Sequence, residues 1–276
     1  MEGKLYLVPT PIGNLEDITL RALRILKEVD LIAAEDTRHT LGLLNHFEIK
    51  KPLISYYKEI ENKKSDVLIS KLKEGQNIAI VSDAGTPGIS DPGEEIVKKA
   101  IEENIEIIPV PGACAFVNAL IASGFSTREF SFIGFLSANK KERKEKLEEI
   151  KNETRTMIFY EAPHKMKSTL ESMSEVLGNR RIVLARELTK IHEEFIRSRI
   201  DDVLENEEYK GEFVILIEGA TESKKDVELK NLKELTLEKH YEKYEQEGFS
   251  KKEIIKMIAK DRNVSKNEIY QYFIEK

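Results

Sequence analysis

Apolar residues along this chain fall into short runs separated by stretches with helical spacing. KLYLVP at 4–9 is a compact apolar run ending in proline, the pattern of a buried strand. DLIAA at 30–34, NIAIV at 77–81 and IEIIPV at 105–110 repeat it. Between them, Leu20, Leu23, Ile25 and Leu26 recur at helical spacing behind Thr19, a residue suited to N-capping, and 63–74 and 93–103 also read as helices. Strands alternating with helices predict a mostly parallel sheet covered on both faces.

The pattern changes after Phe135. Residues 139–153 are almost wholly charged and lack glycine and proline, so they read as the exposed opening helix of a second domain, with a linker near Ser131–Ala138. TMIFY at 156–160, RIVLA at 181–185 and EFVILIE at 212–218 are further strands, with a helix over 164–177. From Thr221 the pattern is helical only. Ser250 with Glu253 forms a capping-box signature, and Ser265 opens a second short helix. The expected architecture is α/β. Two α/β/α domains with mostly parallel sheets occupy 1–135 and 136–220, and a small C-terminal helical, helix-turn-helix-like region occupies 221–276.

Length and composition fit this division. The chain has 276 residues, 40% of them apolar, more than one compact core usually needs. No apolar run approaches the ~18 residues of a membrane span. The N-terminus enters a strand directly, with no signal peptide, and Cys114 stands alone, which excludes an intrachain disulfide and a cysteine-based zinc site. A reducing, cytoplasmic location is expected, and no metal is, because no His/Asp/Glu ligand cluster is visible. The net charge of −6 argues against a protein that grips nucleic acid over its whole surface. The segment 250–266 is the exception. Lys251, Lys252, Lys256, Lys260, Arg262 and Lys266 face only Glu253 and Asp261, a local +4 that suits either RNA phosphates or a solvated helix face. Lys140, Lys141, Arg143 and Lys144 pose the same choice.

The candidate chemistry lies in loops. VSDAGTPGISDPG at 81–93 follows a strand and precedes a helix, and holds three glycines, two prolines and two aspartates. In an open α/β sheet such loops lie where ligands bind, beyond the carboxyl ends of strands. Glycine lets backbone approach a ligand and proline stiffens the loop. PGACAF at 111–116 is a second such turn, and PTPIGN at 9–14 a third. None is a Walker A loop or a G-x-G-x-x-G turn, which disfavours nucleoside triphosphates and NAD.

LVPTPIGNLEDIT at 7–19, AAEDTRHT at 33–40, VSDAGTPGISDPG at 81–93, PVPGACAFVNALIASGF at 109–125, FYEAPHK at 159–165 and ARELTK at 185–190 together resemble the tetrapyrrole-methylase-fold methyltransferases. Within that fold the chain is similar to the bacterial small-subunit ribosomal RNA (cytidine-2'-O)-methyltransferases. The resemblance covers roughly 4–220, and the tail resembles that family's small helical domain. Tetrapyrrole-modifying relatives would show GDPxxxG where this chain has Gly85-Thr86-Pro87-Gly88, and Lys165 stands where arginine is common.

The resemblance implies S-adenosyl-L-methionine in a cleft between the two α/β domains, contacted by Asp83, Thr86, Pro87, Ile89, Ala113, Ala115, Tyr160, Ala185 and Arg186. It also implies 16S ribosomal RNA of the small subunit as substrate, and a homodimer. Removing the proton of a ribose 2'-hydroxyl calls for a general base. Glu35, Asp36, Glu161 and Glu187, each just past an apolar strand, are the candidates. Arg38 and Lys165, with Lys251, Lys252 and Lys256 of the tail, are candidates for RNA phosphates. The carboxylates flanked by arginine could equally be structural ion pairs. His164 could be a base or a helix cap, and Tyr56 and Tyr57 a stacking platform or a half-buried strand. Cys114 reads as a packing residue.

Overall fold

The computed structural model describes residues 2–206 and 208–273. Its contacts divide the chain into two units, one of residues up to Glu148 with Thr156–Glu218, the other of Glu149–Arg155 with Gly219 onward. No helix among the described residues is long and apolar enough to cross a membrane.

The first unit opens with β1 (Leu5–Leu7), α1 (Leu20–Glu28), β2 (Leu31–Ala34), α2 (Thr37–His46), β3 (Leu53–Ser55), α3 (Glu61–Lys73), β4 (Ile78–Val81), α4 (Glu94–Glu102) and β5 (Ile107–Pro109). The strands form one wholly parallel sheet in the order β3-β2-β4-β1-β5. Successive residues of β2 serve opposite faces. Leu31 and Ala33 pack with Leu68, Leu72 and Ile96 of α3 and α4, whereas Ile32 and Ala34 pack with Ala22, Ile25, Leu26 and Leu44 of α1 and α2. A sheet buried on both faces needs unbroken apolar strands, which is why these runs stand out in the sequence.

The unit continues with α5 (Ala115–Ser123), β6 (Phe130–Phe135), α6 (Lys140–Glu149), β7 (Thr156–Glu161), α7 (Met166–Leu177), β8 (Arg181–Arg186), β9 (Glu194–Arg199), α8 (Ile200–Leu204) and β10 (Phe213–Ile217). These strands form a second sheet, β6-β7-β10-β8-β9, in which only β6–β7 is parallel. The expectation of a mostly parallel sheet therefore fails here. A crossover helix, α6, separates β6 from β7, but β8 turns straight back into β9 through a short loop, and such returns pair antiparallel. The segment expected to be a linker near Ser131–Ala138 instead carries β6, an edge strand of this sheet. Its register shifts between Phe132 and Gly134, where Gly134 takes a left-handed φ of 74°. Helix α5 covers one face, placing Ala119 and Leu120 against Ile158, Val183, Ala185, Val214 and Leu216.

Two residues offered as surface candidates turn out to be internal. Arg143 is buried, donating through Nε to Ser172 Oγ at 3.0 Å and through Nη1 to the carbonyls of Ser137 and Ala138, so it joins no phosphate patch. Lys144 is paired with Glu175. Tyr56 is likewise a core residue, its hydroxyl donating to Glu61 at 3.0 Å, which removes it as a stacking platform.

The second unit contains α9 (Lys224–Glu234), α10 (Leu237–Gln246), α11 (Lys251–Arg262) and α12 (Lys266–Tyr272). The capping box read from the sequence is formed, with the Ser250 amide donating to Glu253 Oε2 at 3.0 Å. Ile254, Ile255, Ile258 and Ile269 make its core with Leu232 and Tyr244. Arg262 belongs to that core rather than to the basic surface, since it donates to the carbonyls of Leu232 and Leu235 and to His240 Nδ1. His240 is fully buried with Nε2 3.4 Å from Asp261. Burial, then the Arg262 charge, hold its pKa below the ordinary value. His240 is therefore protonated first in the unfolded chain, and stability is lost as pH falls through and below about 6.5. Hydrogen exchange, corrected for intrinsic rates, should show α10 and α11 losing protection between about pH 7.5 and pH 5.5, and H240Q should flatten that dependence.

Candidate active site

Four loops leave the carboxyl ends of β1, β2, β4 and β5 and meet at one edge of the first sheet. The loop after β1 and the glycine-proline loop after β4 are joined by a reciprocal backbone pair. The Thr10 amide donates to the Gly85 carbonyl at 2.9 Å, and the Gly85 amide donates to the Thr10 carbonyl at 3.0 Å. Thr10 Oγ1 also donates to the Ser82 carbonyl. Gly85 has φ +83°, and a Cβ there would lie 3.1 Å from the Ile12 side chain. Thr86 Oγ1 then donates to the Ala113 carbonyl at 2.8 Å, tying the β4 loop to the β5 loop. The far end of the β4 loop is held by Glu61, whose Oε1 accepts the Gly93 amide at 2.8 Å and the Glu95 amide at 3.3 Å.

These loops wall a cavity of about 520 Å³, closed from the other side by the second sheet. Ile12, Glu35, Asp83, Thr86, Ile89, Asp91, Cys114 and Ala115 come from the first sheet's loops, and Phe135, Tyr160, Glu161, Ala185, Leu188, Glu212 and Val214 from the second sheet and its turns. This size suits a ligand of a few tens of heavy atoms. The Tyr160 hydroxyl accepts the Phe116 amide at 3.2 Å, fixing the first turn of α5 against β7.

The cavity is acidic, and no lysine, arginine or histidine is among its described lining residues. Burial, then the nearby Asp83 charge, push Glu35 above the usual carboxylate range. Asp91 is pushed up to about 7, by burial first and then by Glu35 and Asp83. Burial also raises Tyr160 and Cys114. An enclosure of this kind favours a ligand carrying positive charge.

Of the residues singled out from the sequence, Glu35, Asp83, Thr86, Ile89, Ala115, Tyr160, Glu161 and Ala185 meet around this cavity. Cys114, read as a packing residue, lines it as well, and the remaining candidates stand outside. Asp36 grips the Arg38 guanidinium at 2.7 and 3.1 Å, which holds its carboxyl at about 2, while its amide donates to Asp83 Oδ1 at 2.9 Å. Glu187, at a left-handed φ of 50°, accepts the Glu212 amide at 2.8 Å and pairs with Lys190 at 3.0 Å. Arg186 pairs with Glu194 at 3.3 Å. Pro87 is buried, and Ala113 offers its carbonyl to Thr86. Lys165 ends the short turn Pro163–Lys165, and His164 in the same turn is exposed. Glu161, though at the wall, already accepts the Thr169 hydroxyl at 2.7 Å and the Ala162 amide at 2.9 Å. Sequence reasoning passed over Asp91, although it lies in the quoted loop, and Phe135, hidden in the run taken for a linker.

The pattern of the tetrapyrrole (corrin/porphyrin) methylases matches residues 4–204. The chain is 50% identical over 99% of its length, and 95% of the relative's, to ribosomal RNA small subunit methyltransferase I of Halalkalibacterium halodurans. It is 49% identical to the protein of the same name in Bacillus subtilis, over 98% of this chain and 94% of that one. Among solved structures, a diphthine synthase superposes with TM-score 0.62 at 14% identity, covering 82% of this chain and 94% of the other. A Thermus thermophilus uroporphyrin-III C-methyltransferase complexed with S-adenosyl homocysteine superposes with TM-score 0.56 at 18% identity, covering 78% and 97%.

Replacing Gly85 by alanine strains a left-handed residue and crowds Ile12. The expected loss is about 1–3 kcal/mol in urea unfolding. A G85A chain with unchanged stability would show that the Thr10–Gly85 junction is not under this constraint.

Proposed function

Because the chain belongs to the tetrapyrrole (corrin/porphyrin) methylase family and is a homologue of the ribosomal RNA small subunit methyltransferases I, we propose that it transfers a methyl group from S-adenosyl-L-methionine to the ribose 2'-hydroxyl of a cytidine in the 16S RNA of the small ribosomal subunit. The observation that carries the chemistry is the acidic cavity, with no cation among its described lining residues, at the carboxyl ends of a parallel sheet. The donor fits it in size and in charge, since its sulfonium and ammonium groups are cations that buried carboxylates stabilise. When bound, it supplies an electrophilic methyl group on sulfur.

The chain's own residues do the rest. The rigid segment around Gly85 and Thr86, with Ile89, Ala115, Tyr160 and Ala185, would hold the donor, and Glu35 and Asp83 would face its charge. Leu188 and Val214 give the cavity apolar walls, and most of the rate gain can come from positioning. Phe135, at the cavity and more than half exposed, offers a flat face on which a nucleobase can stack. Lys251, Lys252 and Lys256 are exposed on α11 and, with Arg38 and Lys165, are the proposed phosphate contacts. Exposed apolar side chains at Leu20, Ile121 and Ile191 support a homodimer.

The test is transfer of labelled methyl to small-subunit particles and their RNA from a strain lacking this gene, followed by mapping. Label on a single ribose 2'-oxygen of a cytidine is the expected result. Label on tetrapyrrole acceptors, with none on RNA, would replace the RNA reading by a small-molecule one. The triple variant Lys251→Glu, Lys252→Glu, Lys256→Glu should raise KM for the particle with little change in kcat. Its salt dependence should weaken by about one unit of slope per lost phosphate contact.

A further inference from the structure

We infer that Asp91 is the general base that takes the proton from the RNA hydroxyl, an assignment that rests on the methyl-transfer reading above. Five carboxylates line the cavity: Glu35, Asp83, Asp91, Glu161 and Glu212. A protein donor or cation beside a carboxylate lowers its proton affinity, and four of the five are engaged in this way. Asp83 accepts the Asp36 amide, and the Asp83 backbone lowers the proton affinity of Glu35. Glu161 accepts Thr169 and Ala162, and Glu212 pairs with Lys190 at 3.1 Å. The Asp91 carboxylate has no hydrogen-bond or ion-pair partner among the described residues.

The backbone places this group deliberately. Ser90, immediately before it, sits at φ +70°, two residues after Gly88 at φ +82°. A non-glycine residue in the left-handed region persists only where its surroundings impose it, and such positions cluster at functional sites. The groups facing Asp91 are Glu35 and Asp83 from the β2 and β4 loops and Tyr160 from β7, with no cation among the described lining residues. Like charges and burial keep its proton affinity near neutrality, where a base combines availability with driving force. In the transfer, the hydroxyl oxygen bonds to the methyl carbon as the sulfur–methyl bond breaks and its electron pair stays on sulfur. The hydroxyl proton passes to Asp91. The products are a methyl ether, a neutral thioether and a protonated carboxyl that returns its proton to water.

The isosteric variant D91N tests this on small-subunit particles. It should lower kcat at least about 100-fold and abolish the rise of rate with pH near 7, while calorimetry shows donor affinity changed by less than about threefold. E35Q removes a like charge, so it should keep the pH limb but move it to lower pH. Thermal unfolding without any ligand gives an independent readout. The folded chain binds the Asp91 proton more tightly than the unfolded chain, so stability falls as pH rises between about 4 and about 7. D91N should therefore melt above the wild type at about pH 8.5 and close to it at about pH 4. An active D91N with an unchanged pH profile overturns the assignment, as does a D91N whose donor affinity falls in step with its rate, which would make Asp91 an anchor for the ammonium group. If the wild type itself labels no ribose 2'-oxygen, the underlying reading fails and the assignment with it.

Discussion

The reciprocal pair between Thr10 and Gly85 is one residue long on each side, yet the geometry of the cavity depends on it. It makes the loop after β1 a prop for the loop after β4, and the Thr86 hydroxyl extends the support to the loop after β5. Three chain segments far apart in sequence become one rigid wall. At its centre backbone groups satisfy one another, and the hydroxyls of Thr10, Ser82 and Thr86 add bonds to backbone carbonyls, which leaves the surface of glycine and proline bare. That explains a loop so rich in residues with little to say chemically. They determine where the backbone goes, and the chemistry is left to the few polar side chains around it.

The second constraint is electrostatic. Placing Glu35, Asp83 and Asp91 around one partly buried space without a compensating cation raises the free energy of the empty protein. The chain offsets part of this by hydrogen-bonding two of the three, and leaves the third bare. A cationic ligand beside Glu35 and Asp83 would relieve part of the repulsion, so binding and charge neutralisation are coupled at those two groups. The acidic interior also separates tasks. On the proposed reading, contacts with a polyanionic substrate would fall to lysines on the outer surface, where their charge does not collapse onto the carboxylates.

Much of the first sheet was legible because burial on both faces forces unbroken apolar runs, as at Ile78–Val81 and Leu31–Ala34. The second sheet was legible only where the same condition held, at β7, β8 and β10. Strand β9, EFIRSR, lies at an edge and keeps its arginines in solvent, so it reads as loop. Strand β6 was hidden by its bulge. The extra residue at Ile133 puts Phe132 and Phe135 opposite Ile158 and Tyr160, so the two rings share a face at a spacing of three rather than two. At the site, loop composition marked the glycine-proline wall and the nearby arginine marked Asp36 as a possible ion pair, but nothing in the residue order showed that Asp91 stays bare. That is a matter of which backbone donors come within reach, and only the folded chain supplies it.

The four C-terminal helices look like an appendage that could be removed by a stop codon, but their unit is discontinuous. Residues Glu149–Arg155, between α6 and β7, belong to it. The Ala220 amide donates to the Glu153 carbonyl at 2.6 Å, and the space a Gly219 side chain would need is filled by the Thr154 carbonyl. A chain ending after Glu218 would keep half of this junction and expose its unpaired carbonyl, whereas a transplant of the helices onto another protein would need both segments. Modularity at this end of the molecule is therefore a property of two stretches of sequence together, and insertions or deletions near 150 and near 219 are coupled through one backbone contact.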